Sequence, residues 1–184
     1  MISKEKDLLE LFFNFPNKHW KFKELRKEVK ISETKLVKWL SRFQKQNIIQ
    51  KIKPKGKMPY YTSNSKSPEF QNRKKLFAMN KFYDCGLLNY LRSLKKAKTI
   101  IIFGSFARAD WYKESDIDLF VYGYKTLNLR SYESRLKRDI QLFSCKNTKE
   151  LKRFGSRLIR NILRGDVVKG YIPNEIFENA NIKN

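Results

Sequence analysis

Asp116 and Asp118 stand two positions apart in "SDIDLFVYG", in a chain with 41 Lys and Arg against 18 Asp and Glu. In an extended strand, residues i and i+2 project from the same face with Cα atoms roughly 6.5–7 Å apart. Two anions that close raise each other's protonation cost unless a cation neutralises them. Mg²⁺ suits such a pair, because it takes oxygen ligands, keeps several waters and is completed by substrate phosphates. A two-metal site would hold ions about 3.5–4 Å apart over a phosphoryl centre. Gly104, eleven residues before Ser115, and Ser105 follow the apolar run "TIIIF". Glycine lets a backbone approach a ligand closely, and the free N–H groups of a helix start favour phosphate oxygens.

These residues need elements to hold them. "KTIIIFG" reads as a buried strand, "SFARAD" as a helical turn, "SDIDLFVYG" as a second strand and "KRDIQLFS" as a third. "FQNRKKLFAMNKFYDCGLLNYLRSL" reads as a long helix eased at Gly86, and "KNTKELKRFGSRLIRNILRG" as a closing helix stopped at Gly165. "DVVKGYI" adds a last short strand. That order predicts a small mixed sheet with helices packed on it.

The segment "GSFARADWYKESDIDLFVYG" resembles the signature of the DNA polymerase β-like nucleotidyltransferase superfamily, in its minimal (MNT-type) form. The resemblance implies that Asp116, Asp118 and a third acidic residue, Asp139 at the head of "DIQLF", bind Mg²⁺ and carry the catalysis. It implies that Gly104, Ser105, Arg108 and Ser115 contact a nucleoside triphosphate, expected to be ATP. Its family pattern usually has Gly after "GSxAR", whereas this chain has Ala109 followed by Asp110. If that position has positive φ, Ala carries strain. Trp111 and Tyr112 could stack on a nucleobase or pack on the closing helix; Arg108 could meet a phosphate or pair with a nearby carboxylate.

A seam lies near "TSNSKSPEF", residues 62–70, where Ser, Asn and Pro interrupt the apolar periodicity. It divides the chain into 1–65 and 66–184. Before it, "KEKDLLELFFNF", "KFKELRKEV" and "ISETKLVKWLSRFQKQN" read as three helices, the third with Ser32 as N-cap. "IIQKI" and "MPYYT" then form a hairpin through "KPKGK". Three helices and a hairpin look like a winged helix-turn-helix domain. The fold class expected is therefore α+β, a winged helix followed by a small mixed-sheet nucleotidyltransferase.

On the third helix Lys35, Lys38, Arg42 and Lys45 fall on one face, with Leu36, Leu40 and Phe43 opposite. Lys53, Lys55 and Lys57 crowd the hairpin tip. A recognition helix with a basic wing on flanking phosphates needs this arrangement, and so does a solvated face on a protein-docking winged helix. The net charge of +23 favours a polyanionic partner, DNA or RNA.

No stretch approaches the roughly 20 apolar residues of a membrane span, and no secretory signal is evident. Cys85 and Cys145 lie 60 positions apart without metal-ligand spacing, so reduced thiols and a cytoplasmic location are expected. The single histidine, His19, reads as a loop residue beside Trp20. Three functions stay open: an active nucleotidyltransferase, a DNA-binding regulator or antitoxin with little catalysis, and a scaffold. The family's minimal members are similar to antitoxins that modify a HEPN toxin, so a protein acceptor is among the partners implied. The helix over 69–94 could pair with a second copy, giving a homodimer, or pack within the chain.

Overall fold

The computed structural model describes residues 4–179 and separates into two compact units. One comprises residues up to 74 together with 111–113; the other comprises 75–110 and the chain from 114 onward.

In the first unit, α1 (Lys4–Asn14), α2 (Phe22–Val29) and α3 (Glu33–Lys45) precede an antiparallel pair, β1 (Ile49–Ile52) and β2 (Tyr60–Ser63). The apolar periodicity explains the packing: Leu8, Phe12, Leu25, Leu36, Leu40 and Phe43 are each no more than 1% exposed. Trp20 pairs its backbone with Tyr61 through two 2.8 Å hydrogen bonds, adding one bridge to the hairpin. Ser32 occupies the N-cap of α3, but its hydroxyl makes no capping hydrogen bond. α2 is fastened differently, by the Glu24 carboxylate accepting from the Lys21 backbone N–H at 3.0 Å. His19 is exposed and stacks on Tyr60 with centroids 4.1 Å apart.

The second unit is built on a four-stranded sheet in the order β5-β4-β3-β6. β3 (Thr99–Phe103) runs antiparallel to both β4 (Ile117–Tyr122) and β6 (Asp166–Lys169), while β5 (Ile140–Cys145) runs parallel to β4. Every residue of β3 is buried, as a continuous apolar run in a sheet covered on both faces must be. Burying each isoleucine contributes roughly 1.5–3 kcal/mol. On one face Ile101, Phe103, Phe120 and Tyr122 form a core with Ile159, Ile162 and Ile176. The small mixed sheet with helices is thus the architecture expected from the strand order.

The helices depart from expectation at Gly86, before β5, within the closing helix and after β6. The long helix breaks into α4 (Pro68–Asp84) and α5 (Leu87–Ser93), because Gly86 takes φ +84°. α6 (Gly104–Arg108) is a short turn after β3, and α7 (Arg130–Leu136), absent from the sequence reading, precedes β5. The closing helix is two pieces, α8 (Thr148–Leu151) and α9 (Ser156–Leu163), interrupted where Gly155 caps the second; α10 (Asn174–Asn179) follows β6. Among the described residues, no helix is long and apolar enough to cross a membrane.

Candidate active site

β3 delivers its last residue, Phe103, directly opposite Asp118 of β4. The chain then turns at Gly104 with φ +69°, a conformation L side chains rarely adopt. A β-carbon at Gly104 would lie 1.9 Å from Asp118 Oδ2 and 2.8 Å from its Cγ. The Asp118 carboxylate therefore lies against the bare backbone at the start of α6, one residue before half-buried Ser105.

Burial is the largest influence on Asp118 and pushes its carboxyl above the ordinary 3.8. The negative charge of Asp116 raises it further, and the Arg108 guanidinium pulls it back. Asp116, just ahead of β4, is exposed. A divalent cation would reverse that repulsion, so the paired carboxylates fit a hard, oxygen-seeking ion.

Asp139 stands on the neighbouring strand. Its carbonyl accepts the Ile117 N–H at 2.9 Å, and the parallel register pairs Ile117 with Ile140 and Asp118 with Gln141. Alternation along the strands then puts residue 139 level with residue 116, on the face of positions 118 and 141. Among the described residues, however, no three His, Cys, Asp or Glu side chains gather closely enough to hold a metal. Asp116 and Asp118 come together; Asp139 shares their face without closing the set.

Arg108 is engaged on two sides. Its Nε and a terminal nitrogen donate to the Asp110 carboxylate at 2.9 and 3.4 Å, and its other terminal nitrogen donates to Asn161 Oδ1 at 3.2 Å. The carboxylate pairing expected as one alternative is therefore present. The Ser115 carbonyl accepts from Arg138 at 2.9 Å, and that guanidinium lies 5.3 Å from the centre of the Phe106 ring. Asn161 and Arg138 were not singled out from the sequence. Their signal, an amide and a guanidinium on elements distant in the chain, depends on how the sheet brings those elements together.

Ala109 ends α6 at φ +58° and is buried, so the conformation that favours glycine is held by alanine. Trp111 is packed within the first unit. It is 2% exposed in the first unit, edge-on to Phe13 at 6.1 Å, with the Lys74 ammonium 4.5 Å from its ring centre. Tyr112 is exposed.

In the first unit Lys35, Lys38, Lys45, Lys53, Lys55 and Lys57 are all exposed. Arg42 is exposed as well but forms a salt bridge with Glu5, which withdraws it from an open basic face. A further basic hollow of about 520 Å³ lies at the α2–α3 turn, lined by Lys23, Arg26, Lys27 and Lys30.

Residues 86–169 match the family model described as Polymerase beta, Nucleotidyltransferase. No curated protein matches the sequence. Among solved structures, the chain is similar to a mutant of the toxin-antitoxin MntA-HpeT, at 17% identity and a TM-score of 0.34, over 58% of this chain and 80% of that one. It is also similar to a toxin-antitoxin with AMP-PNP, at 22% identity and a TM-score of 0.36, over 55% of this chain and 79% of that one.

Proposed function

From a chain whose residues 86–169 form a polymerase β-type nucleotidyltransferase domain, we propose a Mg²⁺-dependent transferase that moves a nucleoside monophosphate from ATP, or another NTP, to a hydroxyl acceptor. The observation that carries this reading is the Asp118 carboxylate seated against Gly104, next to Ser105 and within the field of Asp116. Backbone N–H groups at Gly104 and the Ser105 hydroxyl hold the β and γ phosphates, with Arg108 and Ser115 at the rim. Asp116, Asp118 and Asp139 hold the metal, Asp139 moving in from the same sheet face. Bound there, Mg²⁺ supplies charge neutralisation for both attacking and leaving oxygens. The acceptor oxygen forms a bond to the α-phosphorus as the α–β bridging bond breaks. Pyrophosphate leaves with that electron pair, and the hydroxyl proton passes to Asp139 and then to water. Positioning and preorganised charge provide most of the acceleration.

The N-terminal part, residues 1–65, serves on this reading as a winged helix that grips DNA or RNA, and 66–184 as the transferase. Lys35, Lys38 and Lys45 on α3, with Lys53, Lys55 and Lys57 between the strands, supply the phosphate contacts. Arg42, held by Glu5, contributes least. The two free thiols agree with a cytoplasmic setting.

A second reading draws on the open carboxylate set and the paired Arg108: a DNA-binding regulator or MNT-type antitoxin whose transferase domain binds nucleotide or a partner protein, a HEPN-type toxin included, with little catalysis. ATP labelled on its α-phosphate separates the two. Label transferred in Mg²⁺ by the wild type and not by Asp118→Ala establishes the enzyme. Nucleotide-dependent stabilisation without transfer establishes the second reading.

A further inference from the structure

α9 turns its apolar side, Ile159 and Ile162, into the sheet core, and its other side carries Arg157, Arg160 and Arg164. Spacings of three and four put these guanidinium groups on one face, spread along about 10 Å of helix. All three are exposed, and among the described residues none has an ion pair or side-chain hydrogen bond. Like charges at this spacing destabilise a helix. Arg108, itself paired with Asp110, lines the same groove, so four arginines and Asn161 border a hollow of about 670 Å³ with no carboxylate among its lining residues. Arg108 is also the cation whose field reaches Asp118. Arg108 closes α6, the turn that starts at Gly104 against Asp118, so the groove borders the helix on which the carboxylate is seated.

We infer that this groove is the acceptor site and that it takes the sugar-phosphate backbone of a single-stranded nucleic acid, delivering its terminal hydroxyl to the carboxylates. The inference rests on the transferase reading and names its acceptor. Guanidinium forks bind phosphate oxygens in pairs, as an ammonium cannot. A 10 Å row of three exceeds what one phosphate needs, and a repeating anion fits it. Duplex nucleic acid is read by convex elements entering its grooves, whereas a concave, cationic channel tracks one strand. The terminal hydroxyl oxygen bonds to the α-phosphorus of the NTP and pyrophosphate departs, extending the strand by one nucleotide.

The test uses the full chain with fluorescent twelve-nucleotide RNA and DNA strands, read by anisotropy across a salt series. Arg157→Gln/Arg160→Gln/Arg164→Gln is compared with Lys95→Gln/Lys96→Gln/Lys98→Gln, which removes the same charge at the opposite end of β3 from Gly104. The arginine variant is expected to bind strands at least about tenfold more weakly, with a salt slope lower by about 2, because each single-strand phosphate contact contributes about 0.7. Replacing the three arginines with lysine keeps the charge and is expected to restore part of the affinity. The RNA and DNA arms identify which strand is preferred. Melting with ATP and Mg²⁺ runs alongside. Equal losses in the arginine and lysine variants overturn the inference, as does loss of ATP stabilisation in the arginine variant, which would assign the groove to the triphosphate. Arginine-dependent strand binding without transfer of labelled nucleotide to the strand overturns the acceptor role and keeps only a binding site, while the transferase reading stands or falls separately on transfer of the α-label to any acceptor. Transfer to another acceptor with no arginine-dependent strand binding removes the groove alone.

Discussion

Asp118 and Gly104 occupy each other's space: the carboxylate of one stands where the other would carry a β-carbon, 1.9 Å from Oδ2. The strand pairing of Phe103 with Asp118 imposes this contact, and the φ of +69° at Gly104 completes it. Gly104→Ala thus meets both a steric clash and an unfavourable backbone conformation. Its expected effect is a loss of roughly 2–3 kcal/mol of stability, combining αL strain with displacement of Asp118. Urea unfolding measures the loss, and a midpoint unchanged from wild type would show that the carboxylate moves aside freely.

Asp118→Asn removes a charge that burial and Asp116 both oppose. Because the folded-state pKa is raised, the folded protein holds a proton there that the unfolded chain has released. The group's stabilising contribution is complete below 3.8 and is lost as pH rises through the raised value. At neutral pH in chelator, the variant should melt above wild type. The gain is small, since Asp118 is partly solvated and 1 kcal/mol moves Tm by roughly 2–4 °C for a chain of this size. In millimolar Mg²⁺ the order reverses, because only wild type gains from the ion. Equal responses to Mg²⁺ would detach Asp118 from metal binding.

Ala109→Gly is expected to stabilise the protein. A left-handed non-glycine residue costs about 1–2 kcal/mol, and glycine's greater freedom in the unfolded chain returns part of that, leaving a gain of about 0.5–1 kcal/mol. Lys30, exposed at φ 53° beyond α2, offers the same backbone relief without a buried side chain. Denaturation of Ala109→Gly and Lys30→Gly should show similar gains; a loss in the former alone would mean that the Ala109 methyl contributes more by packing.

Cys145 is fully buried, and its thiol is pushed up to about 12, chiefly by burial and then by the Glu150 charge, with Lys125 opposing. Thiolate is the reactive form, so at pH 8 a disulfide reagent should modify Cys85 and leave Cys145 untouched until unfolding. Between 9.0 and about 12 the folded chain keeps a proton that the unfolded chain loses. This contribution is therefore whole below pH 9 and disappears as pH rises through that window. Two thiols titrated at equal rates under native conditions would contradict the placement.

Much of this was legible before any coordinates. The run "TIIIF" reads as a buried strand, and Asp116 and Asp118 share a side because strand alternation has a period of two. Leu36, Leu40 and Phe43 were assigned inward from helical spacing alone. These are local properties, decided by residue type and by the backbone's own repeat. The chain itself could not state the register that sets Ile117 beside Ile140, and so leaves residue 139 level with residue 116, because pairing partners more than twenty residues apart are selected by the packing of the whole sheet. Nor could it show Arg42 captured by Glu5, Trp111 buried against Phe13, or Arg108 bordering one groove with the arginines of α9. Such contacts have no period to announce them. They exist only once separate elements have condensed around their cores, where tertiary proximity fixes which charges are spent on one another and which face outward.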